Sequence, residues 1–513
     1  MKISNMPNEK KITSALISVY HKDGLTPIVR LLERLKVRIY STGGTAQFIE
    51  SLGVAVQTVE SVTDYPSILD GRVKTLHPKV FGGILARREN RAHQSEMSEY
   101  NIPPIDMVVV DLYPFENTLA SGASDEEIIE KIDIGGISLI RSAAKNYEDV
   151  LIVPAASHYT EVMEMLERGQ GITLMSDRQR FAAYAFAESS RYDVAIFNWF
   201  SGNTGYAGFR YAQSDANALR YGENPHQRGT FYGNMHEMFT RLHGKELSYN
   251  NLLDIEAALA LMAEFEETTC AIIKHNNACG VASRPSLTEA WKDALAGDPL
   301  SAFGGVIVTN TTVDESTALE MNKLFFEIVL APGFEKNALE VLGTKKNRII
   351  LQVNSFDSGG KQFRSLLNGV LEQDKDTVSH TPEQLKVVTD VAPSRERIED
   401  LLFANKIVKH SKSNAIVLAR GKQMLGSGMG QTSRVDALKQ AITKAAQFGL
   451  NLKDGVMASD AFFPFADSVE TAHEAGIQTV IQPGGSLRDA ESIDYCNKNG
   501  MSMVFTGIRH FKH

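Results

Sequence analysis

The sequence predicts an α/β protein in two parts: a first part built on a mostly parallel sheet with covering helices, and a larger, mixed α/β second part. Three observations carry this. Between Ile12 and Val153, apolar runs of strand length alternate with helix-spaced apolar segments, the signature of strands joined by crossover helices. Asp106–Leu112 has Met107-Val108-Val109-Val110 at its centre, as expected of a strand buried on both faces. A polar, Gly-rich stretch, from Ser201-Gly202-Asn203-Thr204-Gly205 to Ser214-Asp215, separates the parts.

Each element has its own warrant. Ile12–Val19 reads as a buried strand. Leu25–Leu35 reads as a helix, with Leu25, Ile28, Leu31, Leu32 and Leu35 at helical spacing. Val37–Tyr40 is a short strand, Thr45–Leu52 a helix for which Gly53 supplies a left-handed stop, and Val54–Val59 the next strand. Ser124 caps a helix through Ile132, because Glu127 lies three residues on. Ile137–Asn146 is a helix, Val150–Val153 a strand, and helical segments run from about His158 to Phe200. The first domain is set at 1–200, with a core of about 1–150, and the second at 201–513. The second is long enough for two subdomains, with a further break in the polar run Asp374–Ser379.

Composition narrows the function classes. The 513 residues carry 53 Lys and Arg against 62 Asp and Glu, a net charge of −9. Non-specific nucleic-acid binders carry a basic surplus to neutralise phosphates, so no nucleic-acid partner is expected. A small phosphorylated ligand needs only a local positive pocket. No run approaches the roughly 18 apolar residues of a membrane span, and no long apolar segment follows Met1–Pro7, so neither a membrane partner nor a secretory signal is expected. Cys270, Cys279 and Cys496 form no Cys-x-x-Cys pair, which suits a reducing compartment and a cytoplasmic location. Neither His-Glu-x-x-His nor Pro-Cys-x-x-Cys occurs, so no zinc is expected, and there is no P-loop to seat ATP chemistry.

Four clusters in the first domain point to an anion pocket with acid/base groups. Ser41-Thr42-Gly43-Gly44-Thr45, between a strand and a helix, offers a phosphate glycine backbone, hydroxyls and a helix N-terminus; a tight turn explains it as well. Gly71-Arg72-Val73-Lys74-Thr75-Leu76-His77-Pro78 brings two cations and a hydroxyl into one loop, which is otherwise a solvated basic loop. Asp111-Leu112-Tyr113-Pro114-Phe115 lies at the carboxyl end of the apolar strand, where ligands of open α/β sheets collect; the plain alternative for Tyr113 is a packing aromatic. In Asp133-Ile134-Gly135-Gly136, Asp133 is either an acid/base group or a helix cap, and Lys145 is either catalytic or a surface lysine.

In this order, with Ser18-Val19 before them, these strings resemble the IMP cyclohydrolase half of the bifunctional purine biosynthesis enzymes. The resemblance continues through Arg220-Tyr221-Gly222-Glu223-Asn224-Pro225-His226, Leu247-Ser248-Tyr249-Asn250-Asn251, Ser301-Ala302-Phe303-Gly304-Gly305, Ser459-Asp460-Ala461-Phe462-Phe463-Pro464-Phe465 and Gln482-Pro483-Gly484-Gly485 to the terminal Arg509-His510-Phe511-Lys512-His513. It implies a methylglyoxal-synthase-like first domain and a formyltransferase region of two cytidine-deaminase-like subdomains. It also implies two reactions. A formyl group passes from 10-formyltetrahydrofolate to aminoimidazole carboxamide ribonucleotide (AICAR), and formyl-AICAR then closes to IMP with loss of water. A structural monovalent cation and a homodimer complete the expectation.

At Lys274-His275-Asn276-Asn277, after the strand Cys270–Ile273, a neutral imidazole can take the proton of the weakly nucleophilic AICAR amine. Lys274 or Asn414 can stabilise charge on the tetrahedral oxygen. The plain alternative is a buried histidine beside a snorkelling lysine; the resemblance assigns Lys274, His275 and Asn414 to catalysis. It places Arg220, Tyr221, Arg509 and His513 on AICAR and Phe462, Phe463 and Asp467 by the folate, with Ser433 and Arg434 as weaker candidates. In the first domain it gives Lys74, Tyr113, Asp133 and Lys145 proton movement and orientation. It gives Ser18, Lys22, Thr42, Gly44, Thr45, Arg72 and Thr75 the 5′-phosphate.

Departures from that pattern stand out at three places. Ser18-Val19-Tyr20-His21-Lys22-Asp23-Gly24-Leu25 replaces the usual Ser-Val-Ser-Asp-Lys-Thr-Gly-Leu, so Tyr20 and Asp23 stand for hydroxyl residues. Asp111 stands where asparagine is usual, and Ala278 where proline often is. Two other classes compete with the bifunctional enzyme: a formyltransferase with a non-catalytic nucleotide-sensing first domain, and a zinc nucleoside deaminase.

Overall fold

The computed structural model describes residues 9–356 and 359–513; Met1–Pro7, where no leader is expected, lies outside them. The chain divides into two compact units, Met1–Ser214 and Asp215–His513.

The first unit is organised by β1 (Ser14–Ser18), α1 (Leu25–Arg34), β2 (Arg38–Ser41), α2 (Gly43–Ser51), β3 (Gln57–Thr58), β4 (Met107–Val110), α3 (Asp125–Ile129), α4 (Gly135–Lys145), β5 (Leu151–Val153), α5 (Tyr159–Arg168) and α6 (Met175–Thr204). Its five-stranded sheet runs β3-β2-β1-β4-β5 and is parallel throughout. All four residues of β4 are fully buried, as expected of a central strand covered on both faces. Gly53 takes the expected left-handed conformation at φ 74°.

Three expectations shift. The predicted strand Val54–Val59 shrinks to two residues, because Thr58 accepts a hydrogen bond from Ser61 N and caps a helical turn from Val59. The capping box of Ser124 and Glu127 forms, but α3 ends at Ile129 rather than Ile132. There the Tyr192 hydroxyl takes the Lys131 carbonyl and accepts from Asp133 N, which draws the chain out of the helix. The polar stretch expected to begin at Ser201 starts inside α6, which ends only where Gly205 turns left-handed.

The second unit carries β6 (Phe239–His243), α7 (Tyr249–Met262), β7 (Thr269–Lys274), β8 (Asn277–Ser283), α8 (Leu287–Gly297), β9 (Val306–Thr309), β10 (Ile328–Ala331), β11 (Ile349–Val353), β12 (Lys386–Val387), α9 (Arg395–Lys409), β13 (Ile416–Arg420), β14 (Gln423–Gly428), α10 (Arg434–Gln447), β15 (Val456–Ser459), α11 (Asp467–Glu474), β16 (Thr479–Gln482) and β17 (Ser502–Phe505). Among the described residues these strands form one twelve-stranded sheet, β6-β11-β10-β9-β7-β8-β14-β13-β15-β16-β17-β12. Its two halves repeat one pattern. A hairpin (β7–β8, β13–β14) is followed by three parallel strands and an antiparallel edge strand, and the halves meet at the pair Ala282–Gln423. Glycines let a helix lie on each hairpin. A Cβ at Gly280 would stand 1.9 Å from Ala294 O, and one at Gly428 1.8 Å from Ala437 O. The run Asp374–Ser379 lies between the last strand of the first half, β11, and the first of the second, β12, and is tied down by Asp376 pairing with His510 and Ser379 donating to Glu264.

Candidate active sites

In the first unit the chain steps outward from β1 through β2 and β3, then returns to β4 on the other side of β1. Ligands of open parallel sheets collect at the carboxyl ends of the strands flanking such a reversal. Ser18 ends β1, Thr42-Gly43-Gly44 follows β2, and Asp111-Leu112-Tyr113 follows β4, so these clusters converge there.

Lys74 supplies the cation at the head of α2. A Cβ on Gly43 would lie 3.5 Å from Lys74 Nζ. Gly71, at φ 86°, clears the lysine stem: a Cβ there would be 2.5 Å from Lys74 Cε. The ammonium thus joins the N–H groups and the positive dipole end of α2, and the space over Gly44 is open. Four of the expected phosphate ligands also take protein partners in the pocket walls. Thr42 Oγ1 donates to Glu60 at 2.8 Å, and Thr45 Oγ1 to Val19 O at 2.9 Å. Lys22 Nζ donates to the carbonyls of Val19 and Tyr20, and Arg72 pairs with Glu130. Burial lowers the Lys22 ammonium's pKa, opposed by the charge of Asp111.

Asp133 caps α4, accepting from Gly136 N at 2.5 Å and Ile137 N at 3.3 Å. Burial pushes its carboxyl above the ordinary range, against the pull of these N–H groups. Burial, then the charge of Asp133, also raises the Tyr113 phenol, which therefore stays a hydrogen-bond donor at neutral pH. Thr75 is buried at the start of α4, its hydroxyl 3.3 Å from where a Gly135 Cβ would lie. Lys145 is the exposed last residue of α4, about 15 Å of helical rise from Gly135, and the structure does not bring it to this group.

In the second unit, His275 and Asn276 form the two-residue turn between β7 and β8, at φ 50° and 63°. A turn with both φ positive matches the strand twist, but histidine is strained there and needs outside support. Asp254 Oδ1 accepts from Asn276 N at 2.7 Å. Asn277 Nδ2 donates to His275 O at 2.9 Å, while Asn277 Oδ1 accepts from Lys412 N at 3.3 Å. Burial raises the Asp254 carboxyl against the opposing charges of His275 and Lys274. Lys274 Nζ donates to Phe303 O at 2.8 Å. The imidazole is exposed, and with Lys274 it borders a cavity of about 260 Å³ that both halves of the sheet line.

Asn414 Oδ1 accepts from Arg434 Nη2 at 2.9 Å and its Nδ2 donates to Gln431 O at 2.9 Å, which leaves one amide hydrogen for a ligand. Arg434, buried, also pairs with the fully buried Asp460. Ser433 is spent as the cap of α10. Phe462 is exposed and Asp467 heads α11, also exposed. Phe463 is a correction: it is fully buried in the core with Met457, Val469 and Val480, out of reach of a ligand. The Arg220 guanidinium lies 4.8 Å over the Tyr221 ring. Arg509 lies 4.3 Å over Phe511, whose ring is 5.8 Å from His513. The tail holding them is anchored by His510 N on Asp460 O and Lys512 N on Ser413 Oγ.

Sequence reasoning missed Asp254, Asn277 and Asp460. Asn277 lies within the string Lys274–Asn277, so its place beside the turn was a usable signal; Asp254 and Asp460 are brought in by contacts across the fold. Among the described residues no three His, Cys, Asp or Glu side chains are grouped to hold a metal ion, and no helix is long and apolar enough to cross a membrane.

Residues 143–444 match the family model described as AICARFT/IMPCHase bienzyme, and residues 24–138 match that of the MGS-like domain. A protein of Bacteroides thetaiotaomicron named bifunctional purine biosynthesis protein PurH is 60% identical over 508 residues, covering 99% of this chain and 100% of its own. Proteins of the same name from Aquifex aeolicus and Chlorobaculum parvum are 47% and 46% identical, covering 97% and 98% of this chain and 100% and 99% of theirs.

Proposed function

The chain belongs to the AICARFT/IMPCHase bienzyme family, and from that premise we propose how its residues divide the two reactions. It is a bifunctional enzyme of purine biosynthesis, an AICAR formyltransferase and IMP cyclohydrolase, and not a transferase with a silent sensing domain. The observation that supports the division is that each compact unit carries its own set of candidate residues, Lys74, Tyr113 and Asp133 in the first and Lys274, His275 and Asn414 in the second.

In the second unit the AICAR amine attacks the formyl carbon of 10-formyltetrahydrofolate. His275 takes the amine proton as the new C–N bond forms. The Lys274 ammonium and the remaining Asn414 amide hydrogen stabilise the tetrahedral oxygen. Its collapse breaks the bond to the folate nitrogen, which leaves with a proton. Arg220, Tyr221, Arg509 and His513 hold the ribotide, and exposed Phe462 with Asp467 borders the folate. In the first unit the carboxamide nitrogen attacks the formyl carbon and water departs. Lys74 and the α2 N-terminus hold the anionic end, with Ser18 and Thr75 on the pocket walls. The protonated Tyr113 phenol donates to the oxygen that leaves, and Asp133 fixes the α4 end of the pocket. Holding the reactants in an attack-ready geometry supplies much of the rate.

The assembly proposed is a cytoplasmic homodimer. A monovalent cation would find an oxygen donor in Asp460 Oδ2, buried without a hydrogen-bond partner beside Ser459. The division of labour is tested on purified full chain. His275→Ala abolishes formyl transfer and spares cyclisation of supplied formyl-AICAR; Lys74→Ala does the reverse. If either change silences both activities in folded protein, the two-site assignment is wrong.

A further inference from the structure

We propose that Tyr20, clamped by Asp111 and His21, is a positioning residue that sets the Tyr113 phenol for ring closure. The proposal rests on reading this pocket as the cyclohydrolase centre. In the structure Tyr20, His21 and Asp111 are joined. Asp111 Oδ1 accepts from Tyr20 N. Its Oδ2 accepts from His21 N at 3.1 Å and meets His21 Nδ1 at 2.8 Å. An asparagine has one acceptor oxygen in place of two, and could not hold both loop N–H groups and the imidazole in this way.

Lys22 closes the other edge of the loop through the carbonyls of Val19 and Tyr20. A loop pinned on both edges fixes the direction in which Tyr20 leaves the backbone. Its ring meets Tyr113 edge-on, with centroids 5.3 Å apart and planes at 73°, a favourable aromatic arrangement. Lys131 Nζ lies 5.3 Å from the same ring and holds it from a second direction. Tyr113 is 37% exposed, so removing this wall frees its phenol to swing toward water. A serine or threonine at position 20 would be too small to form the wall. The Asp111 carboxylate is engaged by this loop through both of its oxygens.

The test is steady-state cyclisation of formyl-AICAR by the full chain, with formyl transfer on the same preparation as an internal control. Y20A is expected to lower cyclisation kcat about tenfold while KM moves less than about threefold, because an orienting contact is lost and not a binding one. Y20F recovers most of that loss, since the ring forms the wall. D111A lowers kcat to a similar degree, and Y20A/D111A is no worse than D111A, because both act along one route. Additive losses in the double variant, or a loss in KM alone, overturn the proposal. Should Y20A lose both activities by unfolding, Y20L is read in its place, with the same expected loss and an undiminished kcat as the refuting result. Y113F separates the inference from the reading beneath it. If Y113F cyclises normally, the pocket has been misread; if Y113F is inactive and Y20A keeps full kcat, the positioning role alone is refuted.

Discussion

Glu264 is the carboxylate on which the second unit's stability depends most visibly. It follows α7 and accepts from Lys409 Nζ at 2.7 Å and His410 Nε2 at 3.0 Å, both at the end of α9, and from Ser379. Burial opposes its ionisation, but these hydrogen bonds win and hold its pKa down to about 2, against an ordinary 4.5. Burial also lowers His410, which is therefore neutral at pH 7 and donates to the carboxylate, so the charge partner is the buried Lys409. A carboxyl held this far down contributes about 3 kcal/mol at neutral pH. Because the folded value is depressed, that stability is complete above the unfolded value and lost as pH falls from 4.5 toward 2. Glu264→Gln keeps the shape but leaves the Lys409 ammonium buried without a counter-charge, and its cost at pH 7 is about 3 kcal/mol.

The assay is urea unfolding in a Trp199→Phe background. Trp291, fully buried in the second unit, then reports that unit alone. The gap between the parent and Glu264→Gln is expected to stay constant from pH 8 to 6 and to narrow by about 1.4 kcal/mol at pH 3.5. A gap under about 1 kcal/mol at neutral pH, or one that widens on acidification, refutes the reasoning.

Three further outcomes follow from two sets of contacts. Arg434→Ala leaves Asp460 buried and unpaired and is expected to cost about 3 to 5 kcal/mol in the same unfolding assay. Arg434→Lys keeps a charge for Asp460 but loses the planar fork that reaches Asn414, so it retains most of the stability and lowers formyl transfer, measured at saturating AICAR and folate. Ser124→Ala removes the hydroxyl half of the capping box on α3, while the backbone N–H at position 124 still donates to Glu127, and is expected to destabilise the first unit by about 1 kcal/mol, read from Trp199 fluorescence, with formyl transfer unchanged.

Much of the first unit was legible because its signals are local. The apolar run at β4, the helical spacing of Leu25 to Leu32, Gly53 as a stop and Ser124 as a cap all act within one turn or one strand, so the chain sets them wherever it folds. The strings that name the family were legible for a different reason: chemistry restricts residue type at a few positions, and resemblance reads those positions directly. Tertiary structure decided which of the expected ligands are free. Thr42, Thr45, Lys22 and Arg72 look like phosphate ligands in sequence, but each finds a protein partner. Those of Thr42, Thr45 and Arg72 lie 18, 26 and 58 residues away. The same holds for Phe463, exposed or buried according to how its loop turns, and for Lys145, which eleven residues of helix carry away from Asp133. The duplicated half-sheets and the Tyr20–Asp111 clamp, whose partners stand 91 residues apart, exist only once the chain has closed on itself. Periodicity and capping are short-range and are written in consecutive residues, whereas hydrogen-bond partners are assigned by the sheet order that brings distant strand ends together.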